Sequence, residues 1–344
     1  MENSTCGIKQ KTHLAALMHE ARLIIWDETP MTQRYAFEAL DKTLRDILGS
    51  KNEANRDKLF GGMPILLGGD FRQILPVSPK GKRQEVLDVG DGNVPASSKD
   101  GDDEPSWIKI PEEFIVKHGI NPIETIVDTI FPEFHLRQDD EDYLRERAIL
   151  TPRNDDADAI NKHMFKKLLG ETMTFKSSYE ICKGSTDCIE QQQSYPVEYL
   201  NKLDFSGVPP HKLKLKIGQP IMLLRNLHPS GGLCNGTRLI ITAFQKFVIQ
   251  ARIITGSHIG TTVIIHIIVL TSGQSKWPFV MQRIQFPVRP CYAMTINKSQ
   301  GQSLNLVGLY LPKPVFSHGQ LYVAFSRVTT SDGLKIVMID DTDE

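Results

Sequence analysis

Residues 21–30 read ARLIIWDETP, and residues 63–71 read MPILLGGDF. In each, a short apolar, β-branched run stops at a polar cluster. The run RLIIW (22–26) stops at Asp27 and Glu28, and PILL (64–67) stops at Gly68, Gly69 and Asp70. Such runs predict short buried strands. Between them Phe37, Leu40, Leu44, Ile47 and Leu48 recur at helical spacing, Thr32 can cap the start and Gly49 ends the pattern. Strand, helix, strand with short connections predicts a parallel sheet of α/β type. Open sheets of this kind hold their ligands at the carboxyl ends of the strands, where both polar clusters fall.

The same grammar recurs downstream. RAILT (147–151) reads as a buried strand, followed by Pro152 and a polar–apolar helix from about Asp155. That is a second strand-to-helix unit, hence a second α/β domain, as a length of 344 residues also predicts. Residues 14–20 and 123–130 carry short helical spacings. Residues 84–103 hold glycines, serines and the start of an acidic run, and read as an exposed loop or linker. From 212 to 286 the text turns β, in LKLKI, PIMLL, RLIITAF, ARIIT and TVIIHIIVL, which predicts a small barrel or sheet. After Pro290 helical text returns. Ser317 to Gln320 forms a capping-box pattern, stapled by Phe316 and Leu321, and predicts a helix through Arg327. No internal repeat is present.

Composition narrows the class. With 40% hydrophobic, 24% charged and 8% aromatic residues, a wholly disordered chain, collagen and a coiled coil are excluded. The longest apolar run, 263–270, is broken by His266, whereas a bilayer span needs about 20 residues. No membrane partner is expected, and the first ten residues lack the pattern of a secretory signal. Five scattered cysteines without C-x-x-C predict reduced thiols in a cytosolic or nuclear compartment. The net charge of −1 hides a segregation. Residues 205–330 carry 13 Lys and Arg and no Asp or Glu, so all 41 acidic residues lie elsewhere. This reads as a basic face for a polyanion, with a β-rich core bearing ordinary surface lysines as the alternative.

Four clusters carry chemistry. Asp27 and Glu28 end a strand. In nucleotide hydrolases such a pair holds magnesium and orients or deprotonates an attacking water, although an acidic pair can equally start a helix. Gly69 and Asp70, with Arg72 and Gln73, follow the second strand. The glycines permit close backbone approach, and the polar side chains can bond phosphate or water, or simply line a solvated turn. Thr295, Asn297, Lys298, Gln300 and Gly301 form a short polar run within the carboxylate-free half, suited to phosphate contacts. Arg327 closes the last helical pattern and can serve as an arginine finger or stand alone on the surface. Trp277, Phe279 and Tyr292 are candidates for stacking on bases or for the core.

The strings LIIWDETPM, GGMPILLGGDFRQILPV, GLCNGTRLIIT and FPVRPCYAMTINKSQGQSLNLVGLYLPKPVFSHGQLYVAFSR together resemble the petite-integration-frequency (Pif-one-like) DNA helicases, most of all their plant, Helitron-associated branch. The resemblance covers most of the chain from Ser4. It implies two RecA-like motor domains, the first incomplete here, with a small β-barrel inserted in the second. It implies ATP-dependent 5′-to-3′ unwinding of DNA in repair, recombination and telomere maintenance, with ATP and Mg2+ as cofactors. Residue by residue, Asp27 matches the magnesium acid, Glu28 the water-activating acid and Gln73 the γ-phosphate sensor. Gly69 and Asp70 flank that sensor in the nucleotide cleft. Thr295, Asn297 and Lys298 match strand contacts, Gln300 and Gly301 the link to the cleft, and Arg327 the arginine finger.

The resemblance divides the chain into 1–84 (first RecA-like domain, partial), 85–140 (linker and acidic loop), 141–211 and 287–344 (second RecA-like domain) and 212–286 (inserted β-rich region). Single-stranded and forked DNA are the implied partners, a monomer the implied state and the nucleus, or an organelle, the implied location. The text departs from the pattern in places. No G-x-x-x-x-G-K-[ST] phosphate loop occurs in the 344 residues, which reads as an N-terminally truncated member. An Asn-Met-Arg string expected after Gln84 is absent, and Thr29 stands where alanine is usual. Without the strand and helix that flank a phosphate loop, the first sheet should expose apolar surface. Two function classes follow: an ATP-driven helicase, impaired by the missing loop, or a catalytically inactive single-stranded-DNA-binding remnant. A magnesium-dependent hydrolase built on Asp27 and Glu28 is a third, which leaves Arg327 and the TINKSQG string unexplained.

Overall fold

The structure, a computed structural model, describes residues 5–6, 8, 12–27, 29, 34–69, 96–97, 107–108, 110–181, 197–203, 205, 207–271, 281–313, 315 and 320–339. The chain divides into two compact units, Met1–Pro79 and Lys80–Glu344.

The first unit contains α1 (His13–Glu20), β1 (Ile24–Trp26), α2 (Arg34–Gly49) and β2 (Ile65–Leu67). Thr12 caps α1 by accepting from the Ala15 N–H. The two strands pair in parallel, with Trp26 opposite Leu67. The expected helix and both strands are present. The strands are not buried as expected, however, because a strand shows alternate residues to opposite faces and, among the described residues, one face is covered. Ile24 and Ile65 pack with Leu44, Leu48 and Met63, whereas Ile25 and Leu66 are 68% and 56% exposed. The apolar surface expected of a sparsely covered sheet is therefore visible. The proposed Thr32 cap lies outside the described residues.

The second unit begins with the short antiparallel pair β3 (Ala96–Ser97) and β4 (Trp107–Ile108). Three helices follow, α3 (Pro122–Ile130), α4 (Phe134–Arg137) and α5 (Glu141–Arg145), then β5 (Arg147–Thr151) and α6 (Asn154–Lys167). Next come β6 (Met173–Lys176), β7 (Ser178–Ile181) and α7 (Val197–Lys202). The β-rich text gives β8 (Lys212–Leu215), β9 (Pro220–Leu223), β10 (Arg238–Phe244), β11 (Val248–Ile253), β12 (Thr262–His266), β13 (Ile268–Thr271), β14 (Met281–Gln285) and β15 (Val288–Pro290). The chain closes with β16 (Ala293–Thr295), β17 (Leu306–Leu311), α8 (Gln320–Phe325) and β18 (Leu334–Met338).

Strands β16, β5, β17 and β18 form, in that order, a four-stranded parallel sheet. Alternation along β5 divides its residues between two layers. Ile149 joins α3 and α6, while Ala148 and Leu150 join α8 and residues 110–115. Gly308 on β17 lets α3 approach closely, since a Cβ there would lie 2.5 Å from the Ile130 side chain. Residues 110–137 are therefore part of this domain's core and not of the linker expected over 85–140. Helix α8 ends at Phe325, short of the expected Arg327, and its capping-box residues 317–319 lie outside the described residues.

The β-rich region is a five-stranded antiparallel sheet in the order β12, β11, β10, β9, β15, with a three-stranded sheet β13, β14, β7 and a pair β6, β8. It is wider than the expected 212–286. It recruits β6 and β7 from upstream, and β15 pairs with β9 before the chain returns to the parallel sheet. Buried cations fasten it to the helical layer. Arg238 on β10 is fully buried and donates to the carbonyls of Leu144, Arg145 and Arg147 at 3.0–3.2 Å, around the C-terminus of α5. Lys216 donates to Phe165 and Leu168 carbonyls at the C-terminus of α6, at 3.1 and 2.6 Å. Cations suit the negative ends of helix dipoles.

Candidate functional site

In the first unit, the pairing of β1 with β2 sets the two polar strand ends side by side. The Gly68 N–H donates to the Trp26 carbonyl at 2.8 Å. Both the N–H and the hydroxyl of Thr29 donate to the Gly68 carbonyl, at 3.0 and 2.7 Å. These bonds lock the end of β1 to the turn after β2. A Cβ at position 68 would meet the Asp27 carboxylate at 3.2 Å, so the glycine keeps the space beside that oxygen open. Gly69 has φ of 136°, a conformation that favours glycine. Mg2+ is commonly held by one or two carboxylates, with waters and substrate phosphates completing the shell. Among the described residues no cluster of three or more His, Cys, Asp or Glu could form an all-protein metal site. Glu28, Asp70, Arg72 and Gln73 lie outside the described residues.

In the second unit, Thr295 ends β16 and leads into a tight turn, Ile296–Ser299. Ile296 and Ser299 are buried, and the Ser299 hydroxyl donates to the Ile296 carbonyl at 2.6 Å. The turn therefore displays Asn297 and Lys298 at the surface. Gln300 is half-buried, and Gly301, with φ of 73°, is exposed. The Lys298 ammonium donates to Asn235 Oδ1 at 3.3 Å. Its pKa is held below the usual lysine value, first by desolvation and then by the positive charges of Arg225 and Arg289. Arg289 is compensated by Asp158, to which its Nε donates at 3.0 Å, and also bonds Asn154.

Arg327 is 9% exposed. Its Nε donates to the Val323 carbonyl at 2.9 Å, and one terminal nitrogen donates to the Ser299 and Gln302 carbonyls at 3.4 and 3.3 Å. The other reaches the Ser326 hydroxyl at 2.8 Å. The guanidinium thus clamps the Thr295–Gly301 loop to α8 and does not stand free at the surface. Tyr292 is fully buried against Phe131 and Phe134, so it belongs to the core and offers no base-stacking face. Burial raises its phenol pKa. Trp277 and Phe279 lie outside the described residues.

The structure thus brings Asp27 beside Gly68 in one unit, and Thr295 to Gly301 with Arg327 in the other. Sequence reasoning missed Thr29 as a latch, and it missed Asn235 and Arg225 as neighbours of Lys298. The only signal for these two was the Asn-Gly turn at 235–236 in a stretch without carboxylates.

Comparison with known proteins bears on the fold and the family. A family model for PIF1-like helicases matches residues 1–92, and one for the 2B domain of the DNA helicase Pif1 matches residues 198–244. The human ATP-dependent DNA helicase PIF1 is 27% identical over 333 residues, covering 93% of this chain and 46% of that protein. The Trypanosoma brucei brucei ATP-dependent DNA helicase PIF6 is 24% identical over 366 residues, covering 97% and 43%. The chain spans about half the length of the curated relatives it matches. Among solved structures, Bacteroides Pif1 bound to ssDNA superposes with a TM-score of 0.56 at 22% identity, over 98% of this chain and 76% of that one. Pif1 helicase from Candida albicans gives 0.54 at 19%, over 97% and 76%. The fold is that of these helicases, α/β with RecA-like domains, and the family models and relatives support a place in the PIF1-like helicase family.

Proposed function

We propose that this chain carries motor-domain text of an ATP-dependent 5′-to-3′ DNA helicase of the plant, Helitron-associated PIF1-like branch, acting as a monomer on single-stranded and forked DNA. The observation that carries the reading is the Thr295–Gly301 loop. On one side it displays Lys298 to solvent, and on the other its Ser299 carbonyl is held by Arg327. One short loop thus joins a strand-contact cation to the arginine assigned to the nucleotide. In this reading Thr295, Asn297 and Lys298 contact strand phosphates, and Gln300 and Gly301 lead toward the nucleotide. Asp27 holds Mg2+, whose role is to neutralise phosphate charge, Glu28 orients the attacking water, and Gln73 senses the γ-phosphate with Gly69 and Asp70 beside it. As a finger, Arg327 exchanges its bonds to the Ser299 and Gln302 carbonyls for phosphate oxygens.

The 344 residues contain the acidic side of such a site but no phosphate loop. Positioning and electrostatics are nearly all of phosphoryl-transfer catalysis, so losing the backbone cradle and its lysine removes most of it. The polypeptide by itself should therefore hydrolyse ATP at background rate, with or without oligo(dT), in a steady-state assay. DNA-stimulated turnover of about 1–100 s⁻¹ would contradict this. The second reading, a non-catalytic single-strand binder, is favoured by the 13 cations and absent carboxylates of residues 205–330. Both readings place single-stranded DNA on the second unit.

A further inference from the structure

The five-stranded antiparallel sheet has two edges, and they differ. At one edge β15 is three residues long and contains Arg289 and Pro290. A short strand with a charge and a proline keeps an edge from pairing with another chain. At the other edge β12 reads Thr-Val-Ile-Ile-His, with no Lys, Pro or Gly. It pairs with β11 in unbroken register, from Thr262 opposite Arg252 to His266 opposite Val248. Among the described residues no strand pairs with its outer side. The register decides which backbone groups lie there. The Ile253 N–H donates to the Thr261 carbonyl at 3.0 Å, so that pair is hydrogen-bonded and the pairs alternate onward from it. Thr262, Ile264 and His266 therefore direct their N–H and C=O groups away from β11. All three residues are exposed, Ile264 by 55%. Lys246 and Phe247 occupy the turn from β10 to β11, at the end of the sheet where His266 pairs with Val248. The Lys246 ammonium lies over the Phe247 ring, 5.2 Å from its centroid. It makes no ion pair among the described residues, and no Asp or Glu occurs from 205 to 330.

We propose that β12 is a docking edge for an extended acidic segment of a partner protein, which adds a further antiparallel strand beside it. The outward N–H and C=O groups of Thr262, Ile264 and His266 then find partners, and such main-chain bonds supply affinity whatever the sequence. Alternation along the added strand sets its chemistry. Side chains on its inner face lie beside Val263 and Ile265, which pack in the core of the sheet, and should be apolar and β-branched. A carboxylate at the end beside His266 meets Lys246. A second copy of this chain would bring to the edge another segment without carboxylates, so charge favours an acidic partner over self-pairing. None of the residues assigned above to DNA or nucleotide takes part, so this surface stands or falls apart from that reading.

The test uses the full chain and fluorescence anisotropy with a labelled peptide of about eight residues, alternating valine and threonine and ending in glutamates. It should bind, and Lys246→Glu or raised salt should weaken it several-fold. Ile264→Pro removes one outward N–H, which an edge strand tolerates, and should weaken binding about tenfold. Should that variant fail to fold, the same peptide with every amide N-methylated decides alone, and it should bind far more weakly to the parent. No binding by the unmodified peptide, equal binding by the N-methylated one, or parent-like binding by Ile264→Pro overturns the proposal. Self-association of the parent in sedimentation velocity that Ile264→Pro abolishes, without peptide binding, assigns the edge to a second copy and overturns the acidic partner.

Discussion

At Lys298 the balance between water and protein can be read as a pH dependence. A bound phosphate favours the charged ammonium, but desolvation, with Arg225 and Arg289 nearby and Asp158 facing Arg289, lowers the lysine pKa in the free protein. The ammonium is therefore lost earlier on raising the pH than on an ordinary surface lysine. At constant salt, affinity for oligo(dT) should be complete below that lowered pKa and fall as pH rises through it, at a pH below the ordinary lysine range. Lys298→Arg should remove the fall, because a guanidinium stays charged throughout. A parent protein with flat affinity over this range would contradict the assignment. Thr29 poses a different question. Its hydroxyl bond to the Gly68 carbonyl is worth about 1 kcal/mol, as for a typical internal hydrogen bond. Thr29→Val should speed exchange of the Gly68 N–H about fivefold, measured by hydrogen exchange. An unchanged rate would mean that the two strand ends are held without it. Asp27 was legible in the sequence because it ends an apolar run. Thr29 was not, because its partner lies 39 residues away.

Among the elements, two helix C-termini of the second unit are gripped by buried cations. Arg238 satisfies three carbonyls around α5, and Arg252 adds a bond to Glu141 at the start of the same helix, at 2.8 Å. Arg238→Met removes those donors and leaves buried acceptors unpaired. A loss of about 3 kcal/mol or more is expected, read as a lower calorimetric transition temperature for the second unit. A change within about 0.5 kcal/mol would show that water replaces the guanidinium. Strands such as RAILT and RLIITAF were readable because period-two burial is written locally. Their fastening was not. Arg238 looks like any strand-end arginine until the fold carries it to carbonyls more than 90 residues away. The same distance hid the pairing of β7 with β14, and so the true width of the β-rich region.

Across the whole molecule, the sequence carried the α/β class and the alternation of parallel and antiparallel parts, because each depends on repeated local patterns. It also carried the charge segregation. It did not carry the orientation of single side chains, and Arg327 is the clearest case: an arginine at the end of a helical pattern reads as surface or finger, whereas it is buried with bonds to the Ser299 and Gln302 carbonyls. In the proposed function the second unit binds single-stranded DNA through phosphate contacts at the Lys298 loop. The most direct measurement is the salt dependence of oligo(dT) affinity for the full chain and for Lys298→Ala. The parent should give a slope of log K against log[salt] of about −1.4 or steeper, from at least two phosphate contacts at about −0.7 each, and Lys298→Ala should be weaker and shallower by about 0.7. A parent slope near zero, or a Lys298→Ala titration that overlays the parent, would contradict the account.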